Sequence, residues 1–273
     1  MSFKSKVLAA TATLTLVGGV GVAGVLTAGT ASAATPSCGP ACVNTFSYEY
    51  GTHASPNYVV DVLRQGNKVG QPIILFRTSN ADPAEDFTVD IEGTVADFYA
   101  AGLISATTAL HYGCIPQPDY GANFPDCPFA ILGVPPNSGT EPSSNFLAFE
   151  QEYAPYGVDS GLCMGVASTA FQDEGVTLQP CGVSGKTVWI LDTLDQQFTD
   201  AWFHGYFPLI NGSNTNFSQP FVLTYPNDGY PTDMPRPQLT VQNLSGFSFH
   251  FPNLFGTGAN DNQLWSATFG ELK

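Results

Sequence analysis

Positive charge is what this chain most lacks. Eight Lys and Arg stand against 23 Asp and Glu over 273 residues, a formal net charge of −15. Without Lys4 and Lys6, near the N-terminus, the charge is −17, and the remaining cations are Arg64, Lys68, Arg77, Lys186, Arg236 and Lys273. Such a surface repels phosphate backbones and anionic headgroups, which argues against nucleic acid and acidic membrane as partners. Charged residues of either sign make up only 11% of the chain, while Gly (28), Pro (21), Tyr (11) and Phe (20) are plentiful. That balance argues against disorder and for an all-β fold with many turns.

Catalytic signatures are also missing. The histidines His53, His111, His204 and His250 are isolated, and none falls in H-E-x-x-H or in a Cys/His spacing that holds zinc. There is no G-x-S-x-G elbow and no Gly-rich phosphate loop, and the Asp228 to Asp233 stretch lacks the spacing of a calcium hand. Acidic neighbours such as Asp173-Glu174, or Asp82 with Glu85 and Asp86, supply carboxylates in principle for glycoside cleavage. In so acidic a chain their proximity carries little information. The expectation is no enzyme, no metal and no cofactor.

Long hydrophobic runs are absent after the first 33 residues. That opening segment has Lys4 and Lys6, then a Val/Leu/Ala/Gly run, then Ala31-Ser32-Ala33. A charged region, an apolar region and an A-x-A site predict a secretory signal over 1–33, with the mature chain starting near Ala34. The alternative is an uncleaved anchor, since Val7 to Gly29 is long enough to span. A cleaved signal implies a secreted chain, extracellular or cell-wall associated, with no membrane attachment, in a compartment where disulfides persist. The remaining length suits one domain, expected to be monomeric.

Six cysteines fall into sequence-local pairs, Cys38 with Cys42, Cys114 with Cys127 and Cys163 with Cys181. This is the simplest of about fifteen connectivities, and sequence alone does not fix it. Cys38-Gly39-Pro40-Ala41-Cys42 reads as a structural clip in an N-terminal segment over 34–43. Three intervening residues and no following helix argue against a redox centre.

Short apolar runs bounded by Gly and polar turns recur along the chain and read as strands. One set is Tyr58-Val59-Val60-Asp61-Val62, a turn at Gly66-Asn67, Gln71-Pro72-Ile73-Ile74-Leu75-Phe76, and a closing Glu85-Asp86-Phe87. A second is Asn145 to Phe149, Gly161-Leu162-Cys163-Met164-Gly165-Val166, Val176-Thr177-Leu178-Gln179-Pro180-Cys181, then Val188-Trp189. A third is Tyr206 to Ile210, Phe221 to Tyr225, Pro237 to Val241, then Asn262-Gln263-Leu264-Trp265. The Leu162-Cys163-Met164-Gly165-Val166 run, Val176-x-Leu178-x-x-Cys181 and Gln263-x-Trp265 resemble the C-L-x-V, V-x-L-x-x-C and Q-x-W strands of the ricin-type β-trefoil lectins. The long Ala/Gly-rich leader is similar to those of high-GC Gram-positive bacteria. The lectin resemblance implies three pseudo-repeats of four strands over 44–273, a six-stranded barrel capped by three hairpins.

Two segments fall outside the repeats. Residues 91–144 read as an insertion after the first repeat. Within it Thr94-Val95-Ala96-Asp97 predicts an N-capped helix over 95–101, with Phe98 on its buried side and Gly102 as the stop. The rest reads as a disulfide-pinned, Pro-rich loop. The second segment, 226–236, carries Asn227-Asp228-Gly229 as a hairpin turn signal.

The resemblance also implies sites. Sugar-binding members use an acid in the second strand, an aromatic near the third and an amide beside the closing motif. The first repeat offers Asp61 and Phe76, but Ile74 replaces its polar third-strand residue. The second has Gly165, Thr177 and Gln179 at these places and reads as empty. The third offers Gln238, Asn262 and Gln263 with Tyr225 and Tyr230 as stackers, but has Thr224 where the acid belongs. No repeat holds a complete set. Each residue also has a structural reading: Phe76, Phe87, Trp189 and Trp265 as core, and Gln263 as a backbone partner.

The expected function is a secreted lectin-like module that binds neutral or cell-wall glycans weakly. The alternative is a protein-interaction or inhibitor module on the same scaffold, using Tyr120, Phe124 and Tyr230 in the irregular loops.

Overall fold

The computed structural model describes residues 38–48, 51–52, 55–56, 58–79, 82–113, 146–192, 197–198, 205–226, 238–245 and 261–269. The leader over 1–33, the Cys114–Cys127 pair, most of the 226–236 segment, Tyr120, Phe124 and Tyr230 lie outside them. Among the described residues, twelve strands of three or more residues run in the order β1 (Val43–Ser47), β2 (Tyr58–Val62), β3 (Ile73–Arg77), β4 (Phe87–Thr94), β5 (Leu147–Tyr153), β6 (Leu162–Val166), β7 (Glu174–Pro180), β8 (Val188–Leu191), β9 (Leu209–Asn211), β10 (Phe221–Thr224), β11 (Thr240–Asn243) and β12 (Trp265–Phe269). Two short helices, α1 (Val95–Ala100) and α2 (Ala106–Tyr112), interrupt them.

All ladders between these strands are antiparallel. One sheet has the order β12-β1-β2-β3; a second runs β8-β9-β10-β11-β7-β6-β5-β4. In the second sheet β8 also pairs with β5, so seven strands close into a ring. Closure removes the sheet edges that would otherwise template aggregation. A bridge between Phe207, just before β9, and Trp265 joins the two sheets.

Three hairpins, β2–β3, β6–β7 and β10–β11, meet along their later strands in a cycle. Pro72 bridges Thr177, Gly175 pairs with Thr240, and Gln238 bridges Ile74. The main-chain bonds follow the same cycle: Leu178 N to Gln71 O, Val176 N to Leu239 O, and Leu239 N to Ile73 O. Each hairpin sends equivalent side chains inward. Val60, Val62, Ile73 and Leu75 from the first meet Met164, Val166, Val176 and Leu178 from the second and Leu223, Tyr225, Leu239 and Val241 from the third. Phe87, Trp189 and Trp265 pack with them, and all fifteen side chains are at most 1% exposed. Burial on this scale is the main stabilising term, roughly 1.5–3 kcal/mol for each aliphatic side chain.

The helix predicted from Thr94 is α1. Thr94 Oγ1 accepts from Asp97 N, the Asp97 side chain accepts from Thr94 N, and Phe98 is buried. The Thr94 hydroxyl, donating to Asp97 Oδ2 at 2.6 Å, and then Thr94 N hold the Asp97 carboxyl below its usual range. Strand β4 runs on to Thr94, into the segment read as inserted, and α2 adds a helix where the sequence suggested only loop. Both helices pack on a second apolar cluster that includes Phe46, Val59, Phe146 and Ile210.

Cys38–Cys42 and Cys163–Cys181 are bonded, with Cα–Cα distances of 5.6 and 5.0 Å. Two disulfides are compatible with an extracellular protein. Among the described residues no helix is long and apolar enough to cross a membrane.

Candidate functional site

The first hairpin carries the acid and the aromatic together. In the β2–β3 ladder Asp61 faces Ile74 and Val59 faces Phe76. Side chains alternate along a strand, so Asp61, Ile74, Val59 and Phe76 share one face, opposite the core face of Val60 and Leu75. Phe76 is half-buried, whereas Asp61 is only 4% exposed.

Asp61 is not alone. The turn before β4 brings Asp82 and Glu85 to it, so that oxygens of the three carboxyl groups lie within 4.8 Å of one another. Asp82 caps this turn, accepting from Ala84 N at 3.0 Å and from Gln65 Nε2 at 3.1 Å. Glu85 accepts from Ser79 N at 2.8 Å and is 5% exposed. Burial, reinforced by the charges of Asp61, Asp82 and Asp86, pushes the Glu85 carboxyl up to about 8 despite the Ser79 bond. At neutral pH Glu85 is therefore mostly a neutral acid beside acceptor carboxylates. Asp82 and Glu85 were visible in the sequence as an acidic neighbourhood; their approach to Asp61 was not. Oxygen donors of this kind suit a hard cation, but crowded carboxyls alone do not specify one.

The third hairpin differs. Tyr225 is fully buried, in the core position that Val62 and Val166 occupy in the other hairpins, and is not an exposed stacker. Gln263 is 2% exposed and fully engaged. Its Oε1 accepts from Ser245 N and Oγ, and its Nε2 donates to Thr224 Oγ1 and Asn243 O. Gln238 donates to Val176 O at 2.8 Å across the seam between hairpins. Asn262 donates to Tyr225 O at 2.8 Å, and its Oδ1 has no hydrogen-bond partner among the described residues. Tyr230 lies outside the described residues.

In the second hairpin Gly165 occupies the position of Asp61, and a Cβ there would stand 2.6 Å from Lys186 O. An acid cannot be accommodated without backbone movement. Of Asp173 and Glu174, the other carboxylate pair suggested by sequence, Asp173 lies in the turn before β7 and Glu174 opens β7, where its Oε1 accepts from Ser168 N and Oγ.

No protein-family model matches the chain, and no curated protein matches it. Solved structures give distant likenesses. A designed 3-fold symmetric protein, ThreeFoil, is similar at 12% identity and TM-score 0.43, over 82% of this chain and 96% of that one. A mosquitocidal holotoxin is similar at 9% identity and TM-score 0.41, over 85% of this chain and 17% of the toxin's. A Polyporus squamosus lectin, solved with a human-type influenza-binding epitope, is similar at 12% identity and TM-score 0.37, over 85% of this chain and 49% of the lectin's. The chain thus spans about half of the lectin and under a fifth of the toxin. At TM-scores below 0.5 these likenesses do not by themselves establish a fold.

Proposed function

We propose that the chain is a secreted, monomeric, lectin-like β-trefoil that binds neutral or cell-wall glycans weakly, without catalysis or a cofactor. In this reading 1–33 is the cleaved leader and 44–273 the trefoil. The cyclic meeting of the three hairpins, with matched side chains from each, supports a trefoil of four-stranded units.

The observation that carries the sugar reading is the shared face of Asp61 and Phe76. A neutral pyranose has a hydroxylated rim that suits carboxyl groups and a C–H face that suits an aromatic ring. The net negative charge favours a neutral ligand over an anionic one. A single such site binds weakly, and avidity needs several. Gly165 on the second hairpin and the fully used Gln263 on the third leave the first as the candidate.

Catalysis at this face is disfavoured by burial. A retaining glycosidase places the sugar between carboxyl groups about 5 Å apart. Asp61 and Glu85 have that closeness, but Glu85 is buried beside Asp61, at 5% exposed, on the turn before β4.

Glycan-array and insoluble-polysaccharide binding of the oxidised 34–273 chain tests the proposal. Binding that Asp61→Ala or Phe76→Ala weakens at least tenfold, roughly 1.4 kcal/mol, is the expected result. Absence of binding to any glycan would falsify it. A protein partner is the second reading, favoured by the apolar side chains that the turns expose. Val69, Val158, Phe171 and Val183 are 53–67% exposed.

A further inference from the structure

The turn from Asp82 to Asp86 is crowded with carboxyl groups. Its own carboxyls are Asp82, Glu85 and Asp86. From β2 comes Asp61; from the turn after β2 come Gln65, which donates to Asp82, and Arg64, whose side chain is exposed. From the end of β5 comes Tyr153, buried and with its phenol held protonated by desolvation and by the charges of Asp86, Asp61 and Asp82. From the following turn comes Tyr156, whose N–H donates to Asp86 Oδ2 at 2.7 Å; Ala154 N donates to Asp86 O at 2.8 Å. The turn is thus tied through Asp86 to the segment just after β5 and crowded against β2 through Glu85.

Three carboxyl groups with oxygens within 4.8 Å, two of them buried, do not all ionise together in place. Outside this setting each would be an ordinary ionised carboxylate at neutral pH. We propose that the Asp82–Asp86 turn is a proton-held latch: it docks against β2 and β5 with Glu85 as a neutral acid, and it opens locally with release of that proton. The sign follows from linkage. Glu85 is raised in the docked turn, so docking is most favourable below about 4.5, weakens as pH rises, and levels above about 8. The latch opens toward alkaline pH. This inference concerns the turn alone and does not depend on sugar binding.

Amide exchange read by mass spectrometry on the oxidised full chain tests it, with rates corrected for intrinsic exchange at each pH. Protection in peptides covering 82–90 is expected to fall about tenfold per pH unit from about pH 5, levelling near pH 8. Glu85→Gln keeps an oxygen for Ser79 N and carries no titrating proton, so its profile is expected to be flat. Asp61→Asn removes one like charge, and its profile is expected to level at lower pH. Peptides from the 162–180 hairpin report opening of the whole chain. A flat wild-type profile, an unaltered slope in Glu85→Gln, a levelling point that Asp61→Asn does not move, or an equal fall in the 162–180 peptides would each overturn the proposal.

Discussion

The first and third hairpins close the same core by different chemistry. At the third, the Trp265 indole N–H donates to Leu223 O at 2.8 Å, and Gln263 binds Ser245, Thr224 and Asn243 around it. The second repeats the tryptophan, with Trp189 donating to Met164 O at 2.9 Å. At the first, Phe87 fills the position and brings no donor, and the turn before it holds Asp82 and Glu85 against Asp61. The third closure rests on neutral hydrogen bonds that are indifferent to pH over the ordinary range. The first packs Phe87 beside a carboxyl, Glu85, whose pKa burial raises to about 8. One architecture thus carries a rigid closure and a titratable one.

The largest effect is expected at the tryptophans. Trp265→Ala should lose about 3–5 kcal/mol by emptying a core position, measured by urea denaturation. Trp265→Phe installs the first hairpin's solution at the third, leaving Leu223 O unpartnered, and should cost about 1–3 kcal/mol. Indifference to Trp265→Phe would break the comparison, because the two closures would then be interchangeable. Next comes the second hairpin, where Cys163–Cys181 ties β6 to the end of β7. Replacing both cysteines with serine should cost roughly 3 kcal/mol on the chain-entropy estimate, read as a lower urea midpoint.

Thermal stability should also fall as pH rises from about 4.5 through about 8. Glu85 is raised by burial above its unfolded value, and a raised carboxyl favours the fold most fully below the unfolded pKa. Glu150 and Glu152 on β5 are raised by burial as well and act in the same direction. Glu85→Gln should flatten part of the slope, whereas Gln263→Ala should lower the whole Tm-against-pH curve without changing its shape. Equal slopes in wild type and Glu85→Gln would remove the first hairpin from the account.

The hairpins were legible because each joins short apolar runs through Gly or polar turns, and the closing aromatics because Phe87 and Trp189 soon follow their hairpins and Trp265 completes Gln263-Leu264-Trp265. Helix α1 was legible from Thr94 and Asp97 alone, since a capping box is a local device. Strand β1 was not. Asn44, Thr45 and Ser47 look solvated in sequence, yet all five residues of Val43–Ser47 are buried. Thr45 there donates to Gln151 Oε1 at 3.0 Å, a partner far along the chain. Tyr225 beside Pro226 reads as a loop aromatic until the cycle of hairpins aligns it with Val62 and Val166 in the core. Asp61 was legible as an acid in a strand. That Asp82 and Glu85 fold back onto it depends on a turn whose docking is a tertiary event.

The smallest effect separates two glutamines that look alike in sequence. Gln263 satisfies donors and acceptors from two segments and is 2% exposed, so Gln263→Ala strands several buried groups and should cost about 1–3 kcal/mol. Gln238 is half-buried, makes one bond to Val176 O and fills the space beside Gly175, where a Cβ would come within 2.5 Å of it. Loss of that single bond at an accessible seam should cost about 0.5–1.5 kcal/mol. The double substitution should be close to additive, because the two side chains bond to different residues, Gln238 to Val176 and Gln263 to Ser245, Thr224 and Asn243. Urea midpoints of the two single variants and the double settle the order. If Gln238→Ala proves the costlier, the seam between the hairpins, and not the closure at Trp265, is where the third hairpin is held.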